Sequence, residues 1–199
     1  MLKIGLTGGI GAGKTTVAHI FEVLGIPIYF ADDAAKKLMN ENENLRQEII
    51  KNFGSESYVD GKLNRRFLAE AIFSDSKKTL LINSIIHPAT LADAEKWFHE
   101  QQGPYAIKEA ALIFEANAEN NLDLVIGVSS PLEIRLQRVM KRDGITLEAV
   151  EKRMQHQMEE NKKMERCDFI IFNNDKDLLI PQVISIHENL LQNIERLKV

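Results

Sequence analysis

A chain of 199 residues, 44% apolar and 27% charged, has the composition of a single globular domain with a full core. A formal net charge of -4 argues against a long nucleic-acid partner, which asks for a basic surface, yet leaves room for a small anion held by a local cluster of cations. The single Cys167 excludes an intramolecular disulfide, no apolar run reaches the roughly 20 residues of a membrane span, and glycines interrupt the first apolar stretch too early for a signal peptide. The expectation is a cytoplasmic protein with no membrane partner.

Leu2 to Leu6 is a short apolar run that ends at Thr7-Gly8-Gly9, which predicts a buried strand and a sharp turn. Val17, Ile20, Phe21 and Leu24 then recur at helical spacing up to Gly25, and Ile26 to Phe30 forms a second apolar strand before Ala31-Asp32-Asp33. Strand, glycine loop, helix and strand make a βαβ unit, so the fold class is α/β, with a parallel sheet between helical layers. From about 34 to 103 the pattern is helical, punctuated by Gly54, Gly61 and Pro88, with no convincing strand; it predicts a helical insertion within one 1–199 domain. Strands return at Tyr105 to Lys108 and Leu124 to Val128. Ser130-Pro131-Leu132-Glu133 reads as a capped helix start. Thr146 is expected to cap a further helix running through Arg153 to about Met164. Phe169 to Phe172 is a last strand, closed by Asn173-Asn174, and an amphipathic helix follows from about Leu178.

Gly8-Gly9-Ile10-Gly11-Ala12-Gly13-Lys14-Thr15 matches GxxxxGK[ST] without exception, after a predicted strand and before a predicted helix. Each residue type has a physical task. The glycines let successive N–H groups converge on one anion, and the helix start adds its dipole and its unpaired donors. Lys14 supplies a point charge for the β- and γ-phosphates, and the Thr15 hydroxyl is a hard oxygen suited to Mg²⁺. Gly11 to Thr16 are thus the candidate nucleotide contacts, with ATP and Mg²⁺ the expected ligands. A glycine turn that binds nothing is the bland alternative, and the strand–loop–helix context weighs against it.

A GTPase base-reading NKxD is lacking, since Asn174-Asp175-Lys176-Asp177 does not fit it, and no transporter-ATPase signature occurs. A small-molecule kinase suits the short chain, the insertion and the Arg-rich helix holding Arg135, Arg138, Lys141 and Arg142. Asp32, at the carboxyl end of a strand, is placed to accept a proton from an attacking hydroxyl. The competing reading is that Asp32 or Asp33 caps the next helix, and position alone leaves the two about even.

Gly5-Leu6-Thr7-Gly8-Gly9-Ile10-Gly11-Ala12-Gly13-Lys14-Thr15-Thr16-Val17 closely resembles the GLTGGIGSGKSTV opening of the dephospho-coenzyme A kinase family. Phe30-Ala31-Asp32 is similar to the family's DAD, with Phe30 replacing the first Asp. Gly61 to Leu68 resembles GxIDRxxL with Asn64 for Asp, and Asn83-Ser84-Ile85-Ile86-His87-Pro88 resembles LNxIxHP. Glu109 to Glu115 is similar to DxPLLFE, departing at Glu109 and Ala111. Arg138 to Gly144 and Arg153 to Gln157 resemble the family's lid, here spanning about 138–164. The likeness covers nearly the whole chain in order. It implies ATP-dependent phosphorylation of the ribose 3′-hydroxyl of dephospho-coenzyme A, the last step of coenzyme A biosynthesis. It also implies Asp32 as base, Arg142 as lid cation and an acceptor-binding insertion. Arg65 would face the acceptor pyrophosphate and His87 would shape its pocket, where a surface ion pair and a structural histidine are the plain alternatives. A nucleoside or nucleotide kinase and a non-catalytic ATP-binding regulator are the rival functions.

Overall fold

The computed structural model describes residues 1–73 and 75–196. It divides into two compact units, one made of Met1–Tyr29 with the chain from Glu100 onward, the other of Phe30–His99.

The first unit is built on a five-stranded sheet. β1 (Leu2–Thr7) lies at its centre, parallel to β5 (Tyr105–Glu109) on one side and β6 (Leu124–Ser129) on the other. β2 (Ile28–Phe30) flanks β5, and β7 (Phe169–Phe172) runs parallel to β6, giving the order β2-β5-β1-β6-β7. Ile4, Leu6, Ile107 and Ile126 are fully buried, as expected of parallel strands covered on both faces. α1 (Lys14–Val23) contributes Val17, Ala18 and Phe21 to this core. α9 (Leu179–Arg196) contributes Val183, Ile186, Leu190 and Ile194, spaced three and four residues apart on one helical face. Tyr105 meets Phe21 edge-on and shares a 2.6 Å hydrogen bond with His187 of α9.

α6 (Leu132–Asp143) follows β6, but Ser130 does not cap it. Pro131 holds the cap position, with its carbonyl accepting from Arg135 N–H, and Ser130 is turned toward Arg138 instead. Thr146 does cap α7 (Leu147–Met154), accepting from Ala149 N–H. The single helix expected to about Met164 is in fact two, because the chain breaks after Met154 and resumes as α8 (Glu160–Glu165). The break is pinned by side chains from distant segments, described below, which helical periodicity does not register.

The second unit contains α2 (Ala31–Glu41), α3 (Glu43–Phe53), α4 (Arg65–Phe73) and α5 (Ser76–Glu100) around Leu45, Ile49, Tyr58, Leu68 and Ile82. It also holds a strand pair that the helical pattern concealed, β3 (Tyr58–Val59) antiparallel to β4 (Lys62–Leu63). Two-residue strands are too short to show alternation. Their turn is Asp60-Gly61, both at positive φ, which is the chemistry a tight hairpin demands. Pro88, expected to punctuate the helical pattern, does not interrupt it. It lies inside the 25-residue α5, so His87 is a mid-helix residue. Proline removes one N–H from the ladder, and the long packed helix tolerates that loss.

Candidate active site

The phosphate loop leaves β1 after Thr7 and enters α1 at Lys14. Gly11 and Gly13 have φ of 80° and 94°, where a side chain is strained. Space forbids one as well: a Cβ at Gly11 would stand 2.6 Å from the Arg135 carbonyl, and one at Gly13 would stand 2.2 Å from Asn173 Nδ2. Gly9 is crowded differently. A Cβ there would overlap the Arg135 guanidinium at 1.8 Å, although Gly9 is not in the left-handed region. Arg135 is only 6% exposed and pairs with Glu160 at 3.1 Å, so its headgroup is clamped over Gly9.

Gly11, Gly13, Lys14, Thr15 and Thr16 line one cleft of about 280 Å³ together with Arg138, Val139 and Arg142. The sequence-predicted nucleotide residues, Lys14 and Arg142 are therefore brought together, except for Ala12, which is fully buried beneath the loop. Lys14 Nζ donates to the carbonyls of Gly8 (3.1 Å) and Gly9 (3.4 Å), folded back over the loop. First-turn N–H groups of α1 have no intrahelical acceptor and so point their partial positive charge into the cleft.

Two arginines of α6 reach this cleft, one turn apart, and they are held differently. Arg138 donates to Asn173 Oδ1 (3.1 Å) and Asp175 Oδ1 (2.5 Å), while Asn173 Nδ2 donates to the Ala12 carbonyl at 2.8 Å. Asn173 thereby ties the end of β7 to the loop through its side chain, a role that sequence position did not disclose. Arg142 makes a forked pair with Asp143, at 2.7 and 3.1 Å, and Arg153 joins the same carboxylate at 2.8 Å. Hydrogen bonding from Arg142, more than from Arg153, holds the Asp143 carboxyl below its ordinary range.

In the second unit, Asp32 and Asp33 occupy the first turn of α2. Neither caps it, since Phe30 is the cap residue and accepts no side-chain bond. Asp33 pairs with Lys36 at 2.6 Å, whereas Asp32 is exposed and makes no side-chain hydrogen bond or ion pair among the described residues. Arg65 opens α4, and Asn64 caps that helix by accepting from Phe67 N–H at 3.2 Å, the task an Asp would perform there. Arg65 also lines a cavity of about 340 Å³ whose other walls are chiefly apolar, among them Met39, Leu63, Leu68, Ile82 and Ile86. His87 lies one helical turn beyond Asn83, a polar residue of that wall.

A central parallel strand, an anion-binding loop opening a helix, and cationic side chains over the cleft define a P-loop kinase. A shikimate kinase from Acinetobacter baumannii shares this fold, at TM-score 0.58 and 17% identity, over 97% of this chain and 94% of its own. Residues 2–179 match the dephospho-CoA kinase family model. Curated relatives bearing that name include proteins of Bacteroides fragilis, 35% identical over 98% of this chain and 96% of theirs, and of Syntrophotalea carbinolica, 39% identical over 87% and 84%. A solved dephospho-CoA kinase from Campylobacter jejuni superimposes with TM-score 0.70 at 26% identity, over 96% of this chain and 98% of that one. This chain belongs to the dephospho-CoA kinase family.

Proposed function

We propose that the protein transfers the γ-phosphoryl group of Mg-ATP to the ribose 3′-hydroxyl of dephospho-coenzyme A, releasing coenzyme A and ADP. The observation that carries this reading is the cleft joining the phosphate loop and Lys14 to Arg138 and Arg142, in a chain of this family.

The loop N–H groups and Lys14 hold the β- and γ-phosphates, with Lys14 exchanging its own loop carbonyls for phosphate oxygens. Thr15 and Thr16 are exposed at the helix start, and Thr15 offers the hydroxyl for the metal. Mg²⁺ is usually bound by one or two protein oxygens plus phosphates and water, so this donor set fits it. Glu109, buried at the carboxyl end of the strand beside β1, would offer the metal a carboxylate oxygen beside the Thr15 hydroxyl. When bound, the ion neutralises charge on the β- and γ-phosphates.

Asp32 takes the proton of the 3′-hydroxyl as its oxygen bonds to the γ-phosphorus and the bond to the β-phosphate oxygen breaks. Arg142 leaves Asp143 for the γ-phosphate, trading one carboxylate partner for a more highly charged one. Arg65 receives the acceptor pyrophosphate. The apolar cavity beside it holds a non-ionic part of the same molecule, with His87 shaping its α5 wall. Burial, chiefly, pushes the Cys167 thiol up to about 12, so the residue stays protonated and inert, as suits the reducing cytoplasm.

The test is ADP release from Mg-ATP with and without dephospho-coenzyme A, with the product identified by mass. Acceptor-dependent release and the gain of one phosphoryl group support the assignment. Release stimulated only by nucleosides or nucleotides would give the protein to that neighbouring class of kinases.

A further inference from the structure

The break between α7 and α8 is a strap across the back of the phosphate loop. Ile10 N–H, at the tip of the loop, donates to Gln157 Oε1 at 2.9 Å across 147 residues of sequence. The next residue, Met158, donates its N–H to Glu115 at 2.6 Å. Three residues beyond Gln157, Glu160 pairs with Arg135, the side chain that covers Gly9. Lys163, fully buried, donates to the Ala111 carbonyl at 2.9 Å and pairs with Glu115 at the same distance. Two adjacent loop residues, Gly9 and Ile10, are thus set by one short segment, and within it, among the described residues, only Gln157 does so directly on a loop N–H.

We infer that Gln157 is a positioning residue for the bound triphosphate: it holds the Ile10 peptide so that the loop's remaining N–H groups stay aimed at the anion. The chemistry of the side chain supports this. A carboxamide oxygen satisfies the N–H without adding negative charge beside an anion site, which a carboxylate of equal reach would do. An unheld Ile10 peptide is free to rotate, and the ordering cost then falls on nucleotide binding. Because Gln157 follows α7, whose Arg153 shares Asp143 with Arg142, the same segment links the loop to the cationic side of the cleft. The inference rests on the loop being a triphosphate site, and its test reads ATP binding without the acceptor.

Gln157→Met keeps the length and removes the acceptor; Gln157→Glu keeps the acceptor and adds a charge. ATP affinity should fall about five- to tenfold in Gln157→Met, the worth of one hydrogen bond, with an unchanged melting temperature and an unchanged KM for the acceptor. Gln157→Glu should also bind ATP more weakly at low salt but recover as ionic strength rises, whereas Gln157→Met should not recover. Wild-type ATP affinity in Gln157→Met overturns the inference, as does a loss matched by lower melting temperature and equally raised acceptor KM. Failure of the unaltered protein to bind ATP would instead sink the phosphate-loop reading beneath it.

Discussion

The two units hold their candidate functional groups in opposite ways. In the sheet unit the phosphate loop is fastened by partners far away in sequence, Asn173 on Ala12, Gln157 on Ile10 and Arg135 over Gly9, while Arg142 is held by its neighbour Asp143. In the helical unit Asp32 and Arg65 are exposed, and neither has a side-chain hydrogen bond or ion pair among the described residues. The cores differ in the same sense. Ile4, Leu6, Ile107, Ile126 and Ile171 are fully buried in the first, while many apolar side chains around the Leu45–Ile82 cluster of the second are only half-buried. The cleft proposed for the triphosphate is prebuilt, whereas Asp32 and Arg65, proposed to meet the acceptor, are left to be ordered by it.

That contrast is broken if changes in the helical unit disturb ATP binding. Asp32→Asn should lower turnover by about 10²–10⁴-fold, the range for a lost general base, while ATP titrations stay as in the unaltered protein. Near-normal turnover removes Asp32 from the mechanism. Lys14→Ala should cost about 10²–10³-fold in turnover and weaken ATP as well, because its charge serves both states. Retained affinity and rate would contradict the loop assignment. Arg65→Ala should raise the KM for dephospho-coenzyme A by about 10–100-fold, the worth of a charge-assisted hydrogen bond, and leave the KM for ATP alone. An equal change in both constants would show that the units do not divide the labour this way. The smallest effect is expected at the cleft rim. Asp143→Asn frees Arg142 from a partly exposed pair and should lower the KM for ATP by about two- to threefold. Since Arg142 depresses the Asp143 pKa, the carboxylate stays charged until pH falls below its usual carboxylate range. Between pH 6 and 8 the gain should therefore be constant, and a gain that varies across that window argues against the exchange of partners.

The βαβ core and the phosphate loop were legible because their signals are local: an apolar run, a glycine-rich turn, a lysine and hydroxyl at a set spacing, then a helical stripe. The order of the family-like segments carried the assignment across the rest of the chain. What stayed hidden was set by distance. Nothing in the period of residues 147–164 shows that Gln157 must reach Ile10, so the helical pattern runs straight through the break. Arg135, one of several cations on α6, looks like a solvated residue until Glu160 and Gly9 bury it. The β3–β4 hairpin is a different lesson, since Asp60-Gly61 is a turn signal in the sequence but the flanking strands are too short to show the alternation of a strand.

Gly9 differs from Gly11 and Gly13 in why it must be glycine, and the difference has a consequence for how this loop evolves. Its backbone lies outside the left-handed region; the clamped guanidinium of Arg135 and the Glu160 carboxylate paired with it stand in the way. A mutation at position 9 alone should be purged, yet the same change should persist once position 135 has drifted to a shorter side chain and Glu160, left without its partner, has turned away. The two sites form a historical ratchet, and the order in which they change decides which lineages can escape glycine there.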